Sequence, residues 1–344
     1  MRALVMRGFG GLEQLGVTEV PDPVINAPDQ VLVRVRCASI NHIDLYVLGG
    51  LPKAQYDFPH VMGSDAAGVV ERVGSGVTTF KPGDRVLLNP GISCGRCDVC
   101  RAGEQPLCRS YRILGEHLEG TISEYLVVPE ANLARIDAEW SWPEAAGFTL
   151  ATLTSWRMLH SRARLQAGET VLVWGIGGGV GLASVQIARQ LGARVVATSS
   201  SDAKLEVAHR LGADVLLNHG RVDVAREVRS LTGVGADVVV DCVGEKTWEA
   251  SLKALRPMGR LVTCGATTGP HVSLDIRRLF WFQWSLLGST MGTDREFREI
   301  VKLGERGRLR PVVDSVVPLE RGAEAFQRMH EGRQLGKLVI EVTQ

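Results

Sequence analysis

Four cysteines crowd into one short stretch, Cys94-x2-Cys97-x2-Cys100-x7-Cys108. Thiolates at this spacing can close a tetrahedral zinc site, with Gly95 and Gly103 letting the chain turn tightly between ligands. A four-cysteine set fills every coordination position and leaves none for water or a carbonyl. Zinc held there would clip a loop together and would not act as a Lewis acid. An iron–sulfur cluster or metal-free thiols are the other readings of the same spacing. Cys37, Cys242 and Cys264 stand apart from the cluster, so the seven cysteines do not form a disulfide framework. The isolated three read as small buried residues.

The second chemical signal runs from Val171 to Ala197, VLVWGIGGGVGLASVQIARQLGARVVA. An apolar run leads into glycines at 175, 177, 178, 179 and 181. Apolar residues then return at helical spacing until Gly192, and a β-branched run follows from Arg194 to Thr198. A strict G-x-G-x-x-G would require glycine where Ile176 stands; the pattern is G-x-x-G-x-x-G over Gly175, Gly178 and Gly181. Alone, such a turn is only a tight connection. Between a strand and a helix it lets main-chain N–H groups and the positive helix end approach a pyrophosphate, the mark of a dinucleotide site.

Two kinds of chain surround these signals. From Met1 to about Leu150 short strands alternate with turns (VLVRVRC, AAGVVERV, DRVLL, SEYLVV), as in a barrel-like domain. A helical stretch from Pro143 to His160 leads out of it. Strands and helices then alternate, the pattern of a parallel doubly wound sheet, and β texture returns in VVDSVVP and KLVIEV. The expected division is residues 1–150 with 308–344 as one domain, the cysteine lobe at 91–110 within it, and residues 151–307 as the nucleotide-binding domain. The aromatic run Phe280 to Trp284 reads as core or subunit contact.

At 344 residues and net charge +1, the chain gives no electrostatic case for a nucleic-acid or anionic-membrane partner. No apolar run approaches a spanning length and the N-terminus lacks a signal-type core, so a cytoplasmic protein is expected.

GSDAAGVVERVGSGVTTFKPGDRV (Gly63 to Val86), the cysteine lobe, GTISEYLVVP (Gly120 to Pro129), the glycine loop and the C-terminal GKLVIEV together resemble the medium-chain dehydrogenase/reductase superfamily of zinc alcohol dehydrogenases and quinone oxidoreductases. The resemblance spans nearly the whole chain. It implies an α/β protein with a GroES-like β-barrel catalytic domain and a Rossmann domain, a nicotinamide cofactor and a homodimer or homotetramer. It assigns the cofactor to Gly175, Gly178, Gly179, Val180, Gly181 and Gly265, with His42 at a position where a cation contacts the pyrophosphate. It assigns one structural Zn2+ to Cys94, Cys97, Cys100 and Cys108.

The chain departs from the zinc alcohol dehydrogenases where they hold a second, catalytic zinc. Matching their C-x-x-D, G-H-E and later cysteine segments puts Asn41, Ser64 and Leu150 at the ligand positions, and Ile43 at the hydroxyl that relays the alcohol proton. None is a good zinc ligand. The segment Asn41-His42-Ile43-Asp44 and the long glycine loop instead resemble quinone oxidoreductases, which reduce activated C=C bonds or quinones without a catalytic metal. Asn41 is then the candidate hydrogen-bond donor and Asp44 a helix cap beside it. The second strand of the nucleotide domain ends in Thr198-Ser199-Ser200-Ser201, with no acid for a ribose 2′-OH until Asp202. Lys204 stands where similar reductases place a cation. Ser199, Ser200 and Lys204 therefore favour NADPH over NADH.

The expectation is an NADPH-dependent reductase of a quinone or α,β-unsaturated carbonyl. One rival is a zinc alcohol dehydrogenase with unusual ligands such as Asp65 and His117. The other is an NADPH-binding protein with a structural or sensing role.

Overall fold

The computed structural model describes residues 1–52 and 55–343. The chain divides into two units, residues 1–151 with 292–344, and residues 152–291.

The first unit is built on a seven-stranded sheet ordered Leu133–Arg135, Arg85–Leu88, Asp65–Val73, Gln30–Ser39, Lys337–Glu341, Val313–Pro318, with Tyr125–Pro129 pairing a further part of Gln30–Ser39. Its alternating apolar residues, including Val31, Val33, Val35, Val70, Leu126, Leu338 and Ile340, form the buried core. Ladder register decides what meets at one end of this sheet. Ser39 lies opposite Asp65 on one side and Val339 on the other, so the last residue of one strand meets the first residue of a second and the third residue of another. A small sheet of Leu15–Glu19, Arg2–Met6 and His60–Val61 completes the β structure with the hairpin Gly91–Ile92 and Arg112–Ile113.

The helix Trp142–Trp156 follows. Its start obeys the capping-box rule: Ser141 Oγ accepts from Glu144 N, and Glu144 Oε2 accepts from Ser141 N. The helical stretch continues as a π-helical turn over Arg157–Arg162.

The second unit carries a six-stranded, wholly parallel sheet in the order Val215–Asn218, Arg194–Ser199, Thr170–Val173, Ala236–Val240, Leu255–Thr263, Ser285–Gly288. The expected doubly wound sheet is present. Strand order reverses between Thr170–Val173 and Ala236–Val240, and at that switch point the glycine loop leaves the sheet.

One expectation about this part of the chain needs correction. The boundary expected at 307/308 falls at 291/292, because the helix Asp294–Glu305 packs with the first unit: a Cβ on Gly304 would sit 2.6 Å from the Trp140 ring. The aromatic run divides. Trp284 is buried and its indole donates to the Arg256 carbonyl, whereas Phe280 and Trp281, on the short helix Ile276–Trp281, are largely exposed.

Candidate active site and metal lobe

At the converging end of the first unit's sheet lies a buried polar cluster. Asn41 precedes the helix His42–Gly49, and Asp44 turns back to cap it, its Oδ2 accepting from Asn41 N at 2.6 Å. Ser64 Oγ donates to the other oxygen of Asp44 at 3.3 Å. Asp65 is enclosed: Oδ2 accepts from Asn41 Nδ2 and from Lys337 Nζ, both at 3.0 Å, and Oδ1 accepts from Leu150 N at 2.9 Å. Lys337 Nζ also donates to Asn41 Oδ1. The helix Trp142–Trp156 lends an i, i+4 pair of backbone groups to the cluster: the Leu150 N–H goes to Asp65, and the Ala146 carbonyl accepts from Ser39 Oγ at 3.0 Å.

Burial pushes the Asp44 carboxyl up to about 7, only partly offset by the Asn41 N–H and the Lys337 charge. Burial, with the nearby Lys337 ammonium, pulls the His42 imidazole below its ordinary range. Neutral at pH near 7, its ring carries no positive charge.

The four lobe cysteines meet as expected. Their sulfurs all lie within 4.8 Å of one another, with Cys94–Cys108 at 3.5 Å and Cys94–Cys100 and Cys97–Cys108 at 3.9 Å. A tetrahedron with Zn–S bonds of ~2.3 Å has S···S edges of about 3.8 Å, so the separations fit a four-thiolate zinc. Gly95 and Gly103 take the left-handed backbone that the turns between ligands require. Main-chain N–H groups of Cys100 and Ser110 point at the sulfurs of Cys97 and Cys108. Hydrogen bonds from the N–H groups of Arg96 and Cys97 hold the Cys94 thiol down to about 6, while burial raises Cys100 to about 11. Zinc bound here would hold the loop and leave no coordination position open.

In the second unit the helix Gly179–Gln190 starts at Gly178 without a side-chain cap, so its first N–H groups are available to an anion. Gly175 is left-handed, and a Cβ on Gly181 would lie 2.5 Å from the Gly175 carbonyl, which explains glycine at both places. The Val180 carbonyl is held by Ser155 Oγ at 2.9 Å. Lys204 reaches back over the loop: a Cβ on Gly177 would sit 2.9 Å from its Nζ. Ser199 is buried at the end of its strand, Ser201 caps the next helix, and Asp202 is occupied by Asn218 Nδ2 at 2.7 Å and Arg221 Nη2 at 2.8 Å. Gly265 follows the strand Leu255–Thr263, its N–H directed at Thr263 Oγ1.

Residues 179–306 match the zinc-binding dehydrogenase family model, and residues 27–138 match the alcohol dehydrogenase GroES-like domain model. An NAD-dependent alcohol dehydrogenase from Sulfolobus acidocaldarius is 32% identical over 353 residues, covering 100% of both chains. The chain belongs to the medium-chain dehydrogenase/reductase superfamily. Another relative, an acryloyl-coenzyme A reductase from Metallosphaera sedula, is 33% identical over 99% of each chain. The crystal structure of an NAD-dependent alcohol dehydrogenase superposes with a TM-score of 0.95 at 46% identity, covering 100% of both chains. As a medium-chain dehydrogenase/reductase the protein is a pyridine-nucleotide-dependent oxidoreductase with a GroES-like domain and a parallel-sheet nucleotide domain. Among the described residues no helix is long and apolar enough to cross a membrane.

The second zinc of the metal-dependent members does not fit this chain. The positions matched to its ligands carry an amide, a hydroxyl and the aliphatic Leu150, and Lys337 already occupies Asn41 and Asp65. Nor do Asp65 and His117 form an alternative: His117 Nδ1 is engaged by Ile113 N at 3.2 Å, and among the described residues only the four lobe cysteines converge as a ligand group.

Sequence reading passed over Lys337, hidden as the first residue of an apolar strand 272 positions from Asp65. The one available signal was a charged residue heading a run that is otherwise core. In the sequence Cys242 and Cys264 stand apart. They follow adjacent parallel strands, and their sulfurs lie 3.3 Å apart.

Proposed function

We propose that this oxidoreductase uses NADPH to reduce a C=C bond conjugated to a carbonyl, or a quinone, without a catalytic metal. The observation that carries the reading is the buried cluster in which Lys337 is bound to Asn41 and Asp65 while Ser64 is bound to Asp44. Oxidising an unactivated alcohol needs a group that creates an alkoxide, and Asn41, Ser64, Leu150 and Ile43 supply none. An activated double bond asks less, because the charge that develops on accepting a hydride is delocalised onto oxygen. A single oriented N–H, with main-chain donors, can stabilise it. Asn41 is the residue proposed to give that hydrogen bond, and Asp44 holds the backbone of Asn41 in place. When bound, the nicotinamide supplies the hydride, and the chain supplies orientation and electrostatics. The acryloyl-coenzyme A reductase relative, whose name denotes an unsaturated thioester substrate, supports the same class.

NADPH is favoured because the second strand of the nucleotide domain ends in serine and not in an acid, because Asp202 is already paired, and because Lys204 lies against the glycine loop. A second reading, alcohol oxidation with NAD, is favoured by the names of the alcohol dehydrogenase relatives.

One set of assays separates the two. NADPH and NADH are titrated into wild type and Lys204→Ala, and turnover is followed with small enones, quinones and primary alcohols, with and without chelator. The expected result is tighter NADPH binding that weakens in Lys204→Ala, with chelator-insensitive enone or quinone reduction. Tighter NADH binding would overturn the cofactor assignment. Alcohol oxidation that is lost on metal removal and restored by zinc would overturn the reaction.

A further inference from the structure

Lysine is seldom buried in a protein interior, yet Lys337 is only 3% exposed, beside a fully buried Asp65. A buried ammonium persists only with paired negative charge and acceptors for its protons. Here the Asp65 carboxylate, 3.0 Å away, and the Asn41 amide oxygen provide both. The pairing also fixes the amide. An ammonium only donates and a carboxylate only accepts, so a single orientation of Asn41 satisfies both neighbours, with Oδ1 toward Lys337 and Nδ2 toward Asp65. Of the two Nδ2 hydrogens, one goes to Asp65.

The ammonium contacts Asn41, matched to one ligand position of the second metal in zinc-containing members of the superfamily, and Asp65, which follows a second such position, Ser64, and accepts from the N–H of the third, Leu150. A divalent ion placed among them would meet a fixed positive charge and find neither thiolate nor imidazole.

We infer that Lys337 is the permanent cation of this site, taking the charge position that zinc-containing relatives give to a second metal, excluding divalent ions, and fixing Asn41 so that it presents N–H and not its carbonyl. Lys337 is thus a positioning residue that acts through Asn41. Only this positioning role rests on the proposed reduction; the cation assignment does not.

Three measurements on the full-length protein test the inference. Metal analysis after dialysis against excess zinc, then buffer, is expected to give one zinc per chain; a second would overturn it. Lys337→Ala leaves a cavity shaped like a lysine stem, so n-propylammonium is expected to raise the variant's Tm and not that of wild type, while n-propanol at equal concentration does neither. Absence of a propylammonium-specific shift in folded variant would overturn it. With an enone and NADPH, kcat of Lys337→Ala is expected to fall roughly tenfold or more, with cofactor affinity retained, and to recover with propylammonium. Full activity without the amine would overturn the positioning role.

If Lys337→Ala does not fold, Lys337→Arg and Lys337→Met take its place. The arginine variant is expected to keep stability and activity better than the methionine variant, and equality or the reverse would overturn the inference. The two readings fail separately. Wild type inert toward enones, yet holding one zinc and showing propylammonium-specific stabilisation of Lys337→Ala, removes only the proposed reaction.

Discussion

Asn41 and Asp44 lie within one turn of each other and do different work. Asn41 faces an ammonium and a carboxylate, whereas Asp44 caps the helix and receives the Ser64 hydroxyl. Removed from water, Asp44 ionises only near 7, against an ordinary value of 3.8. The sign follows from proton counting. Between these two values the folded chain holds a proton that the unfolded chain has released, so stability from this group is complete below the lower value. It then falls as pH rises, by at most about 1.4 kcal/mol per pH unit, and levels off above the upper one. Asp44→Asn removes that dependence while keeping an acceptor for the Asn41 N–H. The Tm difference between about pH 4 and about pH 8 is expected to shrink in the variant, as scanning calorimetry can check. An unchanged difference would show that Asp44 ionises normally.

At the scale of elements, the cysteine lobe and the glycine loop were legible because each is local. Their ligands or turn residues fall within one short stretch, and spacing alone fixes what they can hold. Cys97→Ser removes one of the four thiolates. It is expected to drop bound zinc from one per chain toward none and to lower Tm by several degrees, while cofactor affinity changes little. Metal analysis beside a cofactor titration reads both, and retained zinc would refute the four-thiolate assignment.

The polar cluster was only half legible. Asn41, Ser64 and Leu150 could be placed by matching segments, and the absence of zinc ligands could be read from their side chains. What replaces the metal could not, because Lys337 arrives through a strand pairing, and strand pairing is set by the three-dimensional register. The same limitation explains Cys242 and Cys264, which neighbouring strands bring together. The helix Asp294–Glu305 was misassigned because an amphipathic helix shows that it has a buried face without showing which core it faces.

At the scale of the whole molecule, the two units differ in how the chain supplies them. The second is one continuous segment, residues 152–291, whereas the first is assembled from both ends of the chain. Lys337–Glu341 lies between Gln30–Ser39 and Val313–Pro318 in the sheet. A chain ending at Gly336 would lose that strand and leave the Asp65 carboxylate without its cation. It is expected to lose the first unit's cooperative unfolding transition, while limited proteolysis leaves a resistant fragment near residues 152–291. Two intact transitions in calorimetry would contradict this.

The interrupted first unit also sets a timetable for synthesis. At ribosomal rates of roughly 5–20 residues per second, Ser39 and Asp65 emerge on the order of tens of seconds before Lys337 does. The continuous unit can close in the interval. The end of the first sheet cannot, because burying the Asp65 carboxylate before its lysine exists would strand an unpaired charge. That end of the nascent chain therefore stays hydrated until the strand Lys337–Glu341 arrives, and the buried ion pair forms only after Lys337 has been made.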